Sequence, residues 1–97
     1  MLSSAVRMAV VGYGKTLSKE LAPDVRTNAV LPGAHDTPRL DDFGEDARAA
    51  MSERIPVGRA GDPMELGDMV AHLSSPRSGF ANGQAIVLDG GSSGSTL

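Results

Sequence analysis

The sequence predicts an α/β fold in which a helix connects two neighbouring strands of a parallel sheet. Helical patterns cover residues 3–23 and 63–73, and short apolar runs closed by glycine turns cover residues 25–31 and 85–88. A strand, a helix and a second strand in this order imply a parallel pair with a right-handed crossover. Two strands alone do not make a stable parallel sheet, so we expect the chain to be incomplete as a standalone fold.

The first predicted helix, over residues 3–23, is apolar around nearly its whole circumference in its first half. A helix of that kind needs to be buried on both sides. Val6, Val10 and Val11 cannot all be buried within so short a chain, and we therefore expect self-association. Pro23 is the helix-ending signal.

The next segments are a strand and a long polar connection. Residues 25–31 alternate apolar and polar side chains and end at the turn Pro32-Gly33, which is typical of a short strand. Residues 34–62 carry little core pattern apart from a weak helical pattern over 45–54. A connection of this length is typical of a functional loop.

The second predicted helix begins with Asp62 as the N-cap and Pro63 at the first helical position. One buried stripe at helical spacing supports it, formed by Leu66, Met69, Val70 and Leu73. The wholly apolar run 85–88 is typical of a strand buried in a parallel sheet. Residues 92–97 are predicted to be a frayed tail.

Composition narrows the class of protein. With 97 residues, 40% hydrophobic and 22% charged, the chain fits one globular domain. Its net charge of -3 provides no basic surface for nucleic acid or anionic lipid, and it has no cysteine for disulfides or thiolate metal sites. Without a transmembrane run or a signal peptide pattern, we expect a soluble, cytoplasmic protein with no nucleic-acid or membrane partner.

Three segments carry recognisable motifs. Residues 28–37 read NAVLPGAHDT, residues 55–66 read IPVGRAGDPMEL, and residues 83–91 read GQAIVLDGG. In this order they resemble the C-terminal half of the short-chain dehydrogenase/reductase family, of a divergent ketoacyl-reductase-like type. The family's second motif has a glutamate where this chain has Met64.

The resemblance implies both a fold and a function. The fold is the C-terminal portion of a Rossmann-like, doubly wound parallel sheet, in a homo-oligomer. The function is part of an NAD(P)-dependent oxidoreductase that transfers hydride between carbonyl and alcohol, similar to 3-oxoacyl reductases, with NAD or NADP as cofactor. By resemblance, Pro32 and Gly33 border the nicotinamide, Thr37 hydrogen-bonds the cofactor, and residues 38–57 cover the substrate.

The family's catalytic pair is not intact in this chain. Its Tyr-x-x-x-Lys positions fall on Ser3 and Arg7, where the family has a tyrosine as general acid/base and a lysine that lowers its pKa. The family's cofactor-binding glycine turn and catalytic serine would precede Met1. We therefore expect the isolated chain to be inactive, and its own cofactor binding stays open.

The histidines support no metal site, because His35 and His72 have no further ligand at metal spacing. His35 lies in a loop beside a glycine and is a candidate for a position next to a ligand. Two alternatives remain. The chain is half of a split enzyme that needs an N-terminal partner, or it is a non-catalytic interaction module.

Overall fold

The structure is a computed structural model that describes residues 2–36, 38 and 42–92, without the side chains of residues 2–4. The described elements follow the predicted order of helix, strand, connection, helix and strand. They are α1 (Leu2–Glu20), β1 (Ala29–Pro32), α2 (Glu45–Arg54), α3 (Pro63–Leu73), a 3-10 turn (Pro76–Ser78) and β2 (Ala85–Leu88).

The two strands form a two-stranded parallel sheet. The backbone N–H of Ala29 donates to the carbonyl of Gln84 at 2.8 Å, and the N–H of Gly33 donates to the carbonyl of Leu88 at 2.9 Å. The bonded positions advance in the same direction along both strands, as they do in a parallel pair. The predicted α/β class with a parallel pair is therefore confirmed.

The chain divides into two compact units. The first unit comprises Met1–Val30 and Ala71–Ile86, and the second comprises Leu31–Val70 and Val87–Leu97. The first contains α1 and the loop after α3, and the second contains α2 and the two turns that follow the strands.

The first unit is held together by polar contacts between α1 and the loop that precedes β2. Ser18 is buried, its carbonyl accepts the side-chain amide of Asn82 at 2.9 Å, and the Lys15 ammonium donates to the Gly83 carbonyl at 3.0 Å. The Arg26 guanidinium donates four hydrogen bonds to the same loop, at 2.9–3.1 Å. Its acceptors are Ser75 O, Ser78 O, Ser78 Oγ and Ala81 O.

These contacts correct the predicted strand 25–31, which begins four residues later, at Ala29. The backbone N–H of Thr27 donates to the Asn82 side chain at 3.0 Å, and the Thr27 carbonyl accepts the N–H of Gly83 at 2.8 Å. Because Thr27 is hydrogen-bonded to a loop, it does not extend the strand ladder. α1 likewise ends at Glu20 instead of residue 23, and residues 21–24 form turns.

Several apolar residues of α1 lie on the surface of the first unit, while Val11 is half-buried. Val6 is 54% exposed, Val10 is 59% exposed and Tyr13 is 67% exposed. The sequence predicts that these side chains need burial on both sides, and the described residues do not provide it. No helix among the described residues is long and apolar enough to cross a membrane.

In the second unit, the segment after α2 packs on the turn that follows β2. Ile55 is 7% exposed, and its Cγ2 lies 2.7 Å from the position that a Cβ on Gly90 would take. The Val57 N–H donates to the Gly90 carbonyl at 3.1 Å. The described part of the long polar connection is therefore folded, with α2 over the residues of the weak helical pattern.

Candidate functional site

The carboxyl ends of β1 and β2 are followed by two turns, Pro32-Gly33 and Asp89-Gly90-Gly91. A Cβ on Gly33 would lie 2.6 Å from the Cβ of Asp89 and 2.9 Å from its Cα, so only glycine fits there. Open α/β sheets bind their ligands at the carboxyl ends of parallel strands. This edge of the sheet is therefore the candidate functional site.

The turn after β1 is fixed to the residue that precedes the N-cap of α3. The Gly61 N–H donates to the Ala34 carbonyl at 3.0 Å, and the Asp36 N–H donates to the Gly61 carbonyl at 2.6 Å. Together they form a parallel bridge between His35 and Gly61. The His35 ring lies against Gly61, with Cδ2 2.7 Å from the position of an added Cβ, and its Nδ1 is 3.0 Å from the Gly33 carbonyl.

A carboxylate at the start of α3 is bound from two sides. Glu65 accepts both ends of the Arg59 guanidinium, at 2.7 Å on Oε1 and 3.0 Å on Oε2. Its Oε1 also accepts the backbone N–H of Asp62 at 2.9 Å, while Asp62 Oδ1 accepts the N–H of Met64 at 2.9 Å. This reciprocal arrangement is a capping box, which satisfies the free N–H groups of a helix start.

The same contacts shift the protonation equilibria of the pair. The hydrogen bond from Arg59, with that from the Asp62 N–H next, lowers the pKa of Glu65 from 4.5 to about 2. The hydrogen bond and the charge of Glu65 raise the pKa of Arg59 above its ordinary value. Both charges are therefore present at neutral pH.

A small pocket of about 180 Å³ lies beside these groups. Its lining combines apolar and polar side chains, among them Ala34, Val57, Leu88, His35, Glu65 and Asp89. Pockets that bury a whole ligand usually measure about 300–1,000 Å³. The pocket formed by the described residues is therefore smaller than a site that buries a whole ligand.

An ion pair joins α2 to the same turn. Arg48 Nη2 lies 2.5 Å from Asp36 Oδ1. The two residues, with Ser52, Arg59 and Asp62, line a second and more open pocket of about 420 Å³. Through this pair, the segment predicted to cover a substrate is connected to the turn predicted to border a cofactor.

The structure brings some of the predicted site residues together. Pro32 and Gly33 are exposed and adjacent at the carboxyl edge, and Thr37 lies outside the described residues. Ser3 and Arg7 lie in α1, which belongs to the first unit, and Arg7 is exposed. The described residues contain no cluster of three metal-ligating side chains.

Two groups at the site were not identified as site residues from the sequence. One is the Arg59–Glu65 pair, whose signal was the spacing of Asp62 and Glu65, an acidic version of the capping-box pattern. The other is Asp89, which packs against Gly33. His35, expected beside a ligand, lines the smaller pocket.

Comparison with known proteins assigns the family. The family model described as "Enoyl-(Acyl carrier protein) reductase" matches residues 2–93. A 3-oxoacyl-(acyl-carrier-protein) reductase of Thermotoga maritima is 42% identical over 89 residues, which cover 91% of this chain and 36% of the relative. The chain therefore belongs to the short-chain dehydrogenase/reductase family, as its motifs predict.

Solved structures agree with this assignment. A short-chain dehydrogenase/reductase of Brucella melitensis superposes with a TM-score of 0.84 at 33% identity, covering 94% of this chain and 37% of that one. An actinorhodin polyketide ketoreductase with NADPH gives a TM-score of 0.82 at 34% identity, covering 95% of this chain and 40% of that one. The chain spans about a third of the length of the curated relatives that it matches.

Proposed function

We propose that this chain is the part of an NAD(P)-dependent carbonyl reductase that borders the nicotinamide and covers the substrate. The observation that carries this function is the carboxyl edge of the parallel pair, where the Pro32-Gly33 turn packs against Asp89. The relatives named 3-oxoacyl reductase and ketoreductase support a 3-oxoacyl-type carbonyl as the substrate class. The proposed compartment is the cytoplasm, which the composition predicts.

The exposure of the turn supports a cofactor at this edge. Pro32, Gly33 and Ala34 are all exposed, so the backbone of the turn is accessible to a ligand. A bound NADPH or NADH would supply the hydride. Pro32 and Gly33 would border its nicotinamide, and Thr37 would hydrogen-bond its carboxamide or its phosphate end.

The chain's own residues do not provide the family's proton donor. Ser3 stands at the position of the tyrosine and Arg7 at that of the lysine. A serine hydroxyl is a far weaker acid than a phenol, and efficient acid catalysis needs a group whose pKa lies near the working pH. We therefore expect no turnover by the isolated chain, although Arg7 could still bind ribose hydroxyls.

Two measurements on the purified chain test this function. The first follows NADPH absorbance with an acetoacetyl thioester, and we expect no oxidation above the blank. The second follows amide NMR shifts on adding reduced nicotinamide mononucleotide at millimolar concentration. We expect the Gly33 amide to shift and the Gly79 amide, in the first unit, to stay in place, while ADP shifts neither.

Either measurement can contradict the proposal. Turnover above the blank would show that a proton donor is present, and the expectation of inactivity would be wrong. An unmoved Gly33 amide at saturating mononucleotide would remove the turn from the cofactor site.

A second candidate function is association with another chain, either a second copy or an N-terminal half that completes the enzyme. The observation that favours it is the exposed apolar surface of α1, formed by Val6, Val10 and Tyr13. Monomeric proteins rarely leave large contiguous apolar surfaces in water. A purely non-catalytic interaction module would use the same surface.

A further inference from the structure

We propose that Arg59 and Glu65 are positioning residues for residues 34–36 of the turn after β1. They act by fixing the backbone of residues 59–62, to which this part of the turn is hydrogen-bonded. The structural part of the inference stands by itself. Its consequence for a cofactor rests on the function proposed above.

The first step is that the turn depends on Gly61. Both hydrogen bonds of the bridge, from Gly61 N–H to Ala34 O and from Asp36 N–H to Gly61 O, use the backbone of this one residue. The His35 ring occupies the space where a side chain on Gly61 would lie. A displacement of Gly61 would therefore move the turn and the His35 ring together.

The second step is that Glu65 holds the chain on both sides of Gly61. Arg59, two residues before Gly61, is bound through a two-pronged ion pair, and Asp62, the residue after it, donates its N–H to Oε1 of Glu65. Paired hydrogen bonds between a guanidinium and a carboxylate fix orientation as well as distance. The Glu65 carboxylate therefore binds the chain both before and after Gly61.

The cap of α3 does not depend on Arg59, so positioning of the turn can be distinguished from capping of the helix. Asp62 already caps α3 through the Met64 N–H, so the helix start does not need Arg59. A purely structural role predicts that every amide of the second unit loses the same protection when the pair is removed. A positioning role predicts a loss confined to the bridge.

Amide hydrogen exchange on the full chain, without cofactor, distinguishes the two roles. The variants are Arg59→Lys, which keeps the charge and loses the two-pronged geometry, and Glu65→Gln, which keeps an acceptor for Asp62 N–H. Glu53→Gln, the same chemical change at an exposed residue of α2, is the control. The reporters are the amides of Asp36 and Gly61, and the reference amides are those of Gly33 and Val57, in the same unit.

We expect Glu65→Gln to reduce protection at Asp36 and Gly61 roughly three- to fivefold, the upper end of what an exposed ion pair contributes. Arg59→Lys should lose less protection than Glu65→Gln at Asp36 and Gly61. In both variants, protection at Gly33 and Val57 should stay within twofold of the unmodified chain. In a variant whose amide spectrum shows that it is folded, equal losses at all four amides, or no loss at Asp36 and Gly61, would overturn the inference. A variant that does not fold would lose all four together, and Arg59→Lys then decides.

A second readout connects the pair to the cofactor. The concentration of reduced nicotinamide mononucleotide that half-saturates the Gly33 shift should rise in Glu65→Gln and stay the same in Glu53→Gln. If Gly33 of the unmodified chain does not respond, the proposed function fails, and the exchange data still decide whether the pair positions the turn.

Discussion

At the scale of single residues, Gly33 is the position at which the edge of the sheet depends most directly on residue type. Its missing side chain makes room for Asp89, which follows β2. The motif predicts a glycine there for close approach of a cofactor. The structure shows an additional reason, because the neighbouring turn already occupies one side of Gly33.

Replacing Gly33 with alanine should destabilise the chain. The added Cβ would lie 2.6 Å from the Asp89 Cβ, and we expect a loss of about 1–3 kcal/mol in the free energy of unfolding, which is typical of overpacking. Gly67→Ala is the matched control, because an added Cβ in the middle of α3 meets nothing within 4 Å. It should stabilise the helix by about 0.5–1 kcal/mol. Urea denaturation measures the free energy of unfolding of both variants. Equal urea midpoints for the two would contradict the close packing of Gly33 on Asp89.

The lowered pKa of Glu65 predicts how the stability of the chain depends on pH. Folding lowers the pKa of this carboxyl from 4.5 to about 2, because Arg59 and the Asp62 N–H bind its ionised form. The stabilisation is therefore complete above pH 4.5 and is lost as the pH falls through about 2. In this window, the free energy of unfolding should fall more steeply with decreasing pH for the unmodified chain than for Glu65→Gln.

Urea denaturation at a series of pH values tests the expected window. Added salt should reduce the difference only in part, since the pair also has fixed hydrogen-bond geometry. Glu53→Gln is again the control and should follow the unmodified chain. Parallel pH profiles for the unmodified chain and Glu65→Gln would show that the carboxyl has an ordinary pKa in the folded state.

At the scale of elements, β1 shows how tertiary contacts shorten a predicted strand. Residues 25–31 have the alternation of apolar and polar side chains that is typical of a strand. This pattern carries no information about the hydrogen-bond partners of the backbone. The backbone of Thr27 is hydrogen-bonded to the loop that precedes β2, and the Arg26 side chain binds the same loop. Those partners lie more than 45 residues away in the sequence, so no local pattern could locate the strand's first residue.

α1 presents the opposite case, in which the sequence pattern predicts burial that the described residues do not supply. Val6, Val10 and Tyr13 are each more than half exposed. Burying the exposed half of one such valine is worth about 1 kcal/mol, so water-exposed apolar residues on one helix favour association.

We expect the chain to self-associate through α1. Light scattering at tens of micromolar should give a mass above that of the monomer, and the double variant Val6→Ser, Val10→Ser should shift the chain towards the monomer. Met64→Ser is the control, because Met64 is an apolar residue on α3 that is more exposed than either valine. A monomeric unmodified chain, or the same shift in the control, would show that α1 is not the contact surface.

At the scale of the whole molecule, the predicted order of elements follows from local patterns, and the two compact units do not. The helix bounds 63–73 agree with those of α3 because a proline and an N-cap mark its start within a few residues. The division into units falls inside both strands, since Val30 and Ile86 belong to one unit and Leu31 and Val87 to the other. Nothing in the apolar spacing of either strand marks that position.

The sequence by itself determined the family, the parallel strand–helix–strand order and the turn that ends β1. These follow from residues close together in the chain, where proline, glycine and apolar spacing restrict the backbone directly. Only the tertiary structure decided that Asp89 fills the space beside Gly33, that His35 lies over Gly61 and that Arg59 meets Glu65. The reason is physical, because such contacts depend on backbone paths and side-chain rotamers that distant segments select together.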